Sequence, residues 1–262
     1  MSAALDARFA QCRREDRAAL VGYLPAGFPD QAGSLAAFTA LAEAGADIVE
    51  VGVPYTDPLM DGPVIQDAVQ LALSQGFRFA DLLRCVEAAA EAGAVPVVMS
   101  YWNPVLRYGP SRFAADLANA GGAGLITPDL IPDEAGEWRS SAAEHDLAPI
   151  FLVAPSSTDA RLAMTTAACR GFVYAASTMG VTGARARVGT GAVDLVQRTR
   201  GVTDLPVCVG LGVSTGDQAA SVAGFADGVI VGSALVSALG TRGDIESLSG
   251  LTEELAEGVR RG

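Results

Sequence analysis

Short apolar segments recur along the chain, and longer stretches with apolar residues at helical spacing separate them. Apolar runs of this length are typical of strands buried on both faces of a parallel sheet. Eight strand–helix units within 262 residues predict an α/β fold, a closed (β/α)8 TIM barrel. The eight runs are ALVGYLP (19–25), DIVEVGV (47–53), VPVVMSY (95–101), AGLITPD (123–129), APIFLVAP (148–155), GFVYAAS (171–177), LPVCVGLG (205–212) and DGVIVGS (227–233).

The stretches between the runs predict helices, and glycine follows the last turn of several of them, as is common at helix C-termini. Asp133 and Asp159 are the expected N-caps of the helices after the fourth and fifth strands. An extra N-terminal helix to about Asp16 is expected to close the bottom of the barrel, and an acidic amphipathic helix ends the chain. Since no linker interrupts the pattern, a single domain over 1–262 is expected. The clearest helices are 35–45, 80–93, 112–122 and 191–201.

Two connections are longer than the others, those after the second strand (54–94) and after the sixth strand (178–204). Loops that follow the strands form the catalytic face of such barrels, whereas loops that precede them mostly serve stability. We therefore expect a catalytic loop at about 54–63 and a lid loop at about 178–191.

The bulk charge limits the possible partners. A net charge of −12 and an isoelectric point near 4.5 argue against binding to nucleic acid or to an anionic membrane surface. No run of about 18 apolar residues predicts a membrane span, and the charged N-terminus lacks the apolar stretch of a signal peptide. A cytoplasmic protein is expected.

The residue inventory excludes several kinds of chemistry. The sequence contains no lysine, so a lysine Schiff base or a lysine-anchored pyridoxal cofactor cannot form within it. His145 is the single histidine, which rules out a multi-histidine metal site. The four cysteines have no CxxC spacing and are interpreted as buried or incidental thiols.

Two carboxylates draw attention in the stretch DIVEVGVPYTDPLMDGP. Glu50 lies in the middle of the second predicted strand, and Asp61 follows eleven residues later in a loop rich in Pro and Gly. An ionised carboxylate in a buried strand is costly unless another group pairs with it or the protein uses it. Glu50 is therefore either part of a structural ion pair or a catalytic acid–base group.

Glycine-rich turns follow the seventh and eighth strands, in VGLGVST (209–215) and VGSALV (231–236). Barrels of this kind frequently bind phosphate there through backbone amides, and a third glycine-rich turn at 180–191 adds to the pattern. A phosphate site is expected. Arg185 and Arg187 are interpreted either as phosphate clamps or as solvated charges of the lid.

These motifs resemble those of the tryptophan synthase α-subunit family, and the resemblance extends over essentially the whole chain. EVGVPYTDPLMDGP (50–63) is similar to the segment with the family's catalytic Glu and Asp, and MGVTGAR (179–185) to its sixth-loop motif. GLGVS (210–214) and GSALV (232–236) resemble its phosphate site. The resemblance implies a retro-aldol cleavage of indole-3-glycerol phosphate to indole and glyceraldehyde 3-phosphate.

The resemblance also implies roles for individual residues. Glu50 corresponds to the acid–base group at the breaking carbon–carbon bond, and Asp61 to the acceptor for the indole N–H. For Tyr23, Ile65, Met99 and Tyr174, core packing is the alternative interpretation. The implied substrate-binding residues are Tyr23, Ile65, Met99, Tyr174 and Thr182, and the implied phosphate-binding residues are Gly183, Gly212, Gly232 and Ser233.

The chain departs from the commoner family pattern at Thr178 and Met179 before the sixth-loop motif, at Leu211 and at Met60. These positions bear on lid closure and on the packing of the indole ring. They leave the catalytic pair intact.

Family members work as αββα heterotetramers in which indole passes to pyridoxal phosphate in the β subunit. The resemblance implies such a β partner, and no cofactor is expected in this chain. Three alternatives stay open: a stand-alone indole-3-glycerol-phosphate lyase, a non-catalytic α-like activator of a β subunit, and another phosphate-binding barrel such as a sugar-phosphate isomerase.

Overall fold

The computed structural model describes residues 2–176 and 190–262, which form a closed barrel of eight parallel strands in chain order. The last strand pairs with the first, through the register Val21↔Ile230, and closes the barrel. The predicted (β/α)8 barrel and all eight predicted strands are confirmed. The strands are β1 (Ala19–Pro25), β2 (Ile48–Gly52), β3 (Val95–Met99), β4 (Gly124–Thr127), β5 (Ala148–Val153), β6 (Val173–Ala176), β7 (Val207–Gly210) and β8 (Gly228–Val231).

Twelve helices lie within the described ranges and cover the outside of the barrel and its N-terminal end. The predicted N-terminal, C-terminal and connecting helices are confirmed, whereas α3 and α5 are absent from that prediction. The helices are α1 (Ala3–Arg14), α2 (Gln31–Glu43), α3 (Pro63–Ser74), α4 (Phe79–Glu91), α5 (Trp102–Tyr108), α6 (Pro110–Asn119), α7 (Gly136–Glu144), α8 (Asp159–Ala168), α9 (Thr190–Arg200), α10 (Gly216–Ala223), α11 (Ser233–Leu239) and α12 (Ile245–Val259). None of these helices is long and apolar enough to cross a membrane.

The predicted glycine ends of the helices are confirmed after α2 and α4, where the chain turns back toward the next barrel strand. Gly45 and Gly93 follow the last residues of α2 and α4 with φ angles of +108° and +93°. Side chains other than glycine rarely adopt this region, so glycine ends these helices without strain.

The two predicted N-caps are wrong. Helix α8 begins at Asp159 itself, and the Thr158 side chain one residue earlier accepts the capping hydrogen bond from the Arg161 N–H. Helix α7 begins after Ala135 without a side-chain cap, and the carboxylate of Asp133 pairs with Arg161 instead. A hydroxyl at the position before α8 therefore replaces the aspartate that the spacing suggested.

Helix α1 closes the N-terminal end of the barrel, as expected. Its buried residues Leu5, Phe9 and Cys12 pack with side chains of the barrel interior. The ring centroids of Phe9 and Phe172 are 5.8 Å apart. The four cysteines are free and buried, which confirms their interpretation as buried thiols.

A buried ionic network joins α1, β1 and β2 at the same end, where the Arg8 guanidinium of α1 lies 3.5 Å from the Asp47 carboxylate. Asp47, directly before β2, is only 3% exposed and accepts hydrogen bonds from Arg17 Nη1 and Nη2 at 2.7 and 2.9 Å. Its second oxygen also accepts from the Leu20 N–H at 2.9 Å. Because the pair is bidentate and largely excluded from water, it holds the start of β2 in a defined position.

Replacement of Asp47 tests this anchor. Asp47→Asn removes the buried charge partner of the Arg17 guanidinium and leaves it only the more exposed Glu15 carboxylate, so we expect the free energy of unfolding to fall by about 3 kcal/mol. Urea denaturation followed by circular dichroism measures the change. Asp133→Asn, which breaks the exposed pair with Arg161, is the matched control and should cost no more than about 0.5 kcal/mol. Equal losses in the two variants would contradict the assignment.

Candidate active site

Glu50 lies inside the barrel near its C-terminal end, in the third position of β2. Side chains alternate along a strand, so Glu50 shares the inward face with Ile48, which belongs to the interior cluster. Glu50 is 1% exposed, and its Oε2 has no hydrogen-bond partner within the described part of the chain. Burial, reinforced by the nearby Asp61 carboxylate, raises the pKa of Glu50 to about 8. The burial expected for Glu50 is confirmed, and the ion pair of the structural interpretation is not found among the described residues.

Asp61 ends the loop between β2 and α3 and is half-buried. Burial raises the pKa of its carboxyl group to about 6. The Gln66 Nε2 group donates a hydrogen bond to the Asp61 backbone carbonyl at 2.7 Å and holds this residue against the first turn of α3. Asp61 is thus more exposed than Glu50, as expected, and is mostly ionised above pH 7.

Two tyrosines lie at the same mouth, each above a glycine; Tyr23 is buried and Tyr174 is half-buried. A Cβ atom on Gly52 would come within 2.5 Å of the Tyr23 ring and hydroxyl, and one on Gly210 within 2.8 Å of the Tyr174 hydroxyl. Burial first, and then the negative charges of Asp61 and Glu50, raise the pKa of Tyr23 well above its usual range. Burial, followed by Glu50, does the same for the pKa of Tyr174. Both phenols therefore keep their protons and face the two carboxyl groups as neutral O–H groups.

Three further predicted residues adjoin this group. Ile65, in the first turn of α3, and Tyr23 both approach Gly232: a Cβ on that glycine would lie 3.7 Å from the Ile65 Cδ1 and 3.3 Å from the Tyr23 Cδ1. Met99 ends β3, pairs with Gly52 in the strand register and packs against the interior cluster. Apolar walls and carboxyl groups thus share one end of the barrel.

The glycine turns after β7 and β8 lie on the same face. Gly212 adopts a φ of +70°, and Gly232 directly precedes Ser233, the first residue of α11. Leu211 is buried between the strand and the turn, whereas Met60 is only half-buried in the loop before Asp61. Thr182 and Gly183 lie outside the described residues, as do Thr178, Met179, Arg185, Arg187 and most of the predicted lid at 178–191.

Tyr101 is a site residue that the sequence reasoning missed. It stands two residues after β3 and is 6% exposed, and its hydroxyl oxygen accepts hydrogen bonds from the Leu59 and Met60 N–H groups at 2.9 and 3.0 Å. The sequence could have indicated Tyr101 as a site residue, because it is a polar aromatic residue close after a barrel strand and the C-terminal ends of the strands converge on this face.

The arrangement combines a carboxyl group that is mostly protonated at neutral pH with one that is mostly ionised. Two carboxyl groups whose environments separate their roles are a recurrent basis for acid–base catalysis. The apolar walls and the intact phenols suit a flat, uncharged ring with a hydrogen-bond donor. Across the described residues, no group of three or more His, Cys, Asp or Glu side chains is arranged to hold a metal ion.

Comparison with known proteins gives a consistent result. A family model described as "Tryptophan synthase alpha chain" matches residues 9–259. A curated tryptophan synthase alpha chain from Mycobacterium intracellulare is 63% identical over 253 residues, covering 97% of this chain and 93% of that protein. A solved structure of Mycobacterium tuberculosis tryptophan synthase aligns with a TM-score of 0.94 at 60% identity and covers 98% of both chains. A tryptophan synthase subunit alpha from Legionella pneumophila aligns with a TM-score of 0.87 at 27% identity and likewise covers 98% of both chains.

The raised pKa of Glu50 predicts a pH dependence of stability. The folded chain keeps this proton up to about pH 8, whereas the unfolded chain releases it near pH 4.5. The stabilisation by the neutral carboxyl is therefore complete below the unfolded pKa and is lost as the pH rises through about 8. Glu50→Gln cannot lose a proton, so the wild type should lose up to roughly 5 kcal/mol relative to this variant between pH 4 and pH 9.

Denaturant titrations at a series of pH values measure that difference. Glu253→Gln, at an exposed position of α12, controls for the loss of a surface carboxylate. A wild-type minus Glu50→Gln difference that stays constant from pH 5 to pH 9 would contradict the assignment.

Proposed function

The chain belongs to the tryptophan synthase alpha chain family and is a lyase of tryptophan biosynthesis, and we propose that it uses Glu50 and Asp61 to cleave indole-3-glycerol phosphate. The products are indole and glyceraldehyde 3-phosphate. One observation carries this assignment of residues: two carboxyl groups share the mouth of the barrel, and burial raises the pKa of Glu50 to about 8 and that of Asp61 to about 6.

The chemistry follows from the indole ring. A carbon–carbon bond next to a hydroxyl breaks readily only when an electron sink accepts the bonding pair. This chain has no lysine for an imine. Protonation of the indole C3 converts the ring itself into a cationic sink, so acid–base groups alone suffice.

In the proposed sequence, protonated Glu50 donates its proton to C3 while the Asp61 carboxylate accepts a hydrogen bond from the indole N–H and stabilises the positive charge. The Glu50 carboxylate then removes the proton of the hydroxyl next to the breaking bond. The bond electrons return to the ring, the side chain leaves as an aldehyde, and Glu50 is again protonated. No net proton is gained or lost.

The surrounding residues are assigned to binding. Tyr23, Ile65, Met99 and Tyr174 are proposed to contact the indole ring and the glycerol chain, supported by their position at the mouth. Gly212, Gly232 and Ser233 are proposed to bind the phosphate through backbone amides and a hydroxyl. Thr182 and Gly183 are proposed to join them from the sixth loop, on the strength of their motif.

The proposed partner is a tryptophan synthase β subunit in an αββα assembly. Four of the large apolar side chains that are exposed in the described ranges follow β2, β3 or β4, so they lie on one sector of the catalytic face. Apolar side chains grouped in this way are typical of a protein interface. Their exposed fractions are Leu59 72%, Leu106 50%, Ile131 40% and Val64 39%.

The family resemblance implies pyridoxal phosphate in that partner, and this sequence has no lysine that could anchor the cofactor in the present chain. A cytoplasmic location of the protein stays a prediction. The names of the relatives do not favour a stand-alone lyase or a non-catalytic activator.

The first test is indole release from indole-3-glycerol phosphate. The purified chain should cleave the substrate slowly alone and faster with a β subunit, and Glu50→Gln should lower kcat by at least about 1000-fold. The wild-type kcat/KM should be highest between about pH 6 and pH 8, because activity needs ionised Asp61 and protonated Glu50.

Three outcomes would change the assignment. A fast rate that a β subunit does not alter would indicate the stand-alone lyase. No turnover in either condition would indicate a binding subunit. Full activity of Glu50→Gln would refute the acid–base role of Glu50.

The apolar sector predicts the effect of a charge on partner binding. Leu59→Asp should raise the Kd for the β subunit by about 10- to 100-fold, because it places a carboxylate in a desolvated contact. Val202→Asp is the matched control. Val202 is 40% exposed but follows α9 and precedes β7, so it lies at the opposite end of the barrel.

Calorimetry or surface plasmon resonance with each variant measures the two affinities. An equal change in both variants, or none in Leu59→Asp, would remove this sector from the interface.

A further inference from the structure

We propose that Tyr101 is a positioning residue, whose hydroxyl group holds the β2–α3 loop so that Asp61 faces the substrate. This inference rests on the proposed function of Asp61. The tyrosine itself touches the loop backbone rather than the reacting atoms.

The loop needs such a support because residues 54–61 belong to no helix or strand. The residue before this segment is tied to the barrel, because the Val53 N–H donates to the Met99 carbonyl at 2.8 Å. Six residues later, the Leu59 and Met60 N–H groups both point at the Tyr101 oxygen, at 2.9 and 3.0 Å. A hydroxyl oxygen can accept two hydrogen bonds, so Tyr101 satisfies two consecutive amides directly before Asp61.

Tyr101 is itself firmly placed. The Ser100 N–H donates to the Ile126 carbonyl at 3.1 Å, and the Trp102 N–H donates to both carboxylate oxygens of Asp129, at 2.9 and 3.1 Å. The residues on either side of Tyr101 are thus bonded to β4 and to the segment that follows it. Tyr101 is therefore fixed by β3, which it follows, and by β4 with the segment after it, and the loop amides bind to this fixed hydroxyl group.

Asp61 is held from its other side as well. The Gln66 side chain binds the Asp61 carbonyl, and the Tyr101 hydroxyl binds the two preceding amides. Fixed peptide groups on both sides of Asp61 restrict the position of its carboxylate. A displacement of about 1 Å at a reacting group costs on the order of 100-fold in rate, so this restriction matters for catalysis.

The position of the loop also sets the burial of Asp61, and burial is the cause of its raised pKa. The titratable groups that face Asp61 are Glu50, Tyr23, Tyr174 and Tyr101. If the loop moves toward solvent, the pKa of Asp61 falls toward that of an ordinary aspartate.

Tyr101→Phe tests the proposal, because it keeps the buried ring and removes only the acceptor oxygen. We expect faster hydrogen exchange at the Leu59 and Met60 amides. With indole-3-glycerol phosphate as substrate and the β subunit present, kcat should fall by about 10- to 100-fold and KM should change less. The acidic limb of the kcat/KM profile, near pH 6 in the wild type, should move to lower pH.

Tyr108→Phe is the matched control. Its hydroxyl donates to Asp116 on α6, so the substitution removes one tyrosine hydroxyl without touching the loop. It should leave the loop amides, kcat and the acidic limb as in the wild type.

The outcomes separate the two proposals. Unchanged exchange at Leu59 and Met60, or a loss of kcat without a move of the acidic limb, would overturn the positioning role. A wild-type chain that does not cleave the substrate would overturn the proposed function itself, even if exchange in the loop became faster in Tyr101→Phe.

Discussion

The structure depends on one unfavourable placement, the buried carboxyl group of Glu50. An ionised carboxylate without a partner in the barrel interior is costly, and the chain avoids this cost by keeping the group protonated at neutral pH. The Glu50 oxygen with no partner among the described residues still costs about 1–3 kcal/mol. Such a group persists only where the rest of the fold supplies enough free energy of unfolding to offset this cost. Its ability to act as an acid near neutral pH follows from the same desolvation.

A second buried carboxylate stands directly before the same strand and, unlike Glu50, has hydrogen-bond and charge partners. Asp47 directly precedes β2, and Arg17 and the Leu20 amide satisfy it fully, whereas Glu50 three residues later has no such partners. Three residues along a strand correspond to about 10 Å. The N-terminal end of the barrel thus supplies a satisfied ion pair and stability, and the C-terminal end supplies an unsatisfied acid and reactivity. This division agrees with the general separation of the two faces in barrels of this class.

The sequence was sufficient to predict the barrel, because each strand is a local apolar run and each covering helix has its own periodicity. The positions of Glu50 in a buried strand and of Asp61 in the loop after it were also predictable, since a carboxylate in an apolar strand and a loop rich in Pro and Gly are local signals. The cap of α8 was predicted one residue late because Thr158 and Asp159 are both good N-caps, and backbone geometry decides between them. Tyr101 could not be assigned its contact, because its hydroxyl binds two backbone amides some forty residues away in the chain. Because nearly every residue type has a backbone N–H, the residue types in the loop do not indicate these hydrogen bonds.

The glycines under the two tyrosines have a consequence for how such a site can change over evolutionary time. Gly52 has no room for a methyl group while Tyr23 occupies its present place, and Gly210 has the same relation to Tyr174. A larger residue at either glycine is tolerable only after the aromatic partner has become smaller or has turned away. The two members of each pair should therefore vary together among descendants of this sequence. A smaller aromatic residue combined with a larger residue in place of its glycine would change the shape of the mouth. Such a paired change could fit the mouth to a different ring and leave the two carboxyl groups unchanged.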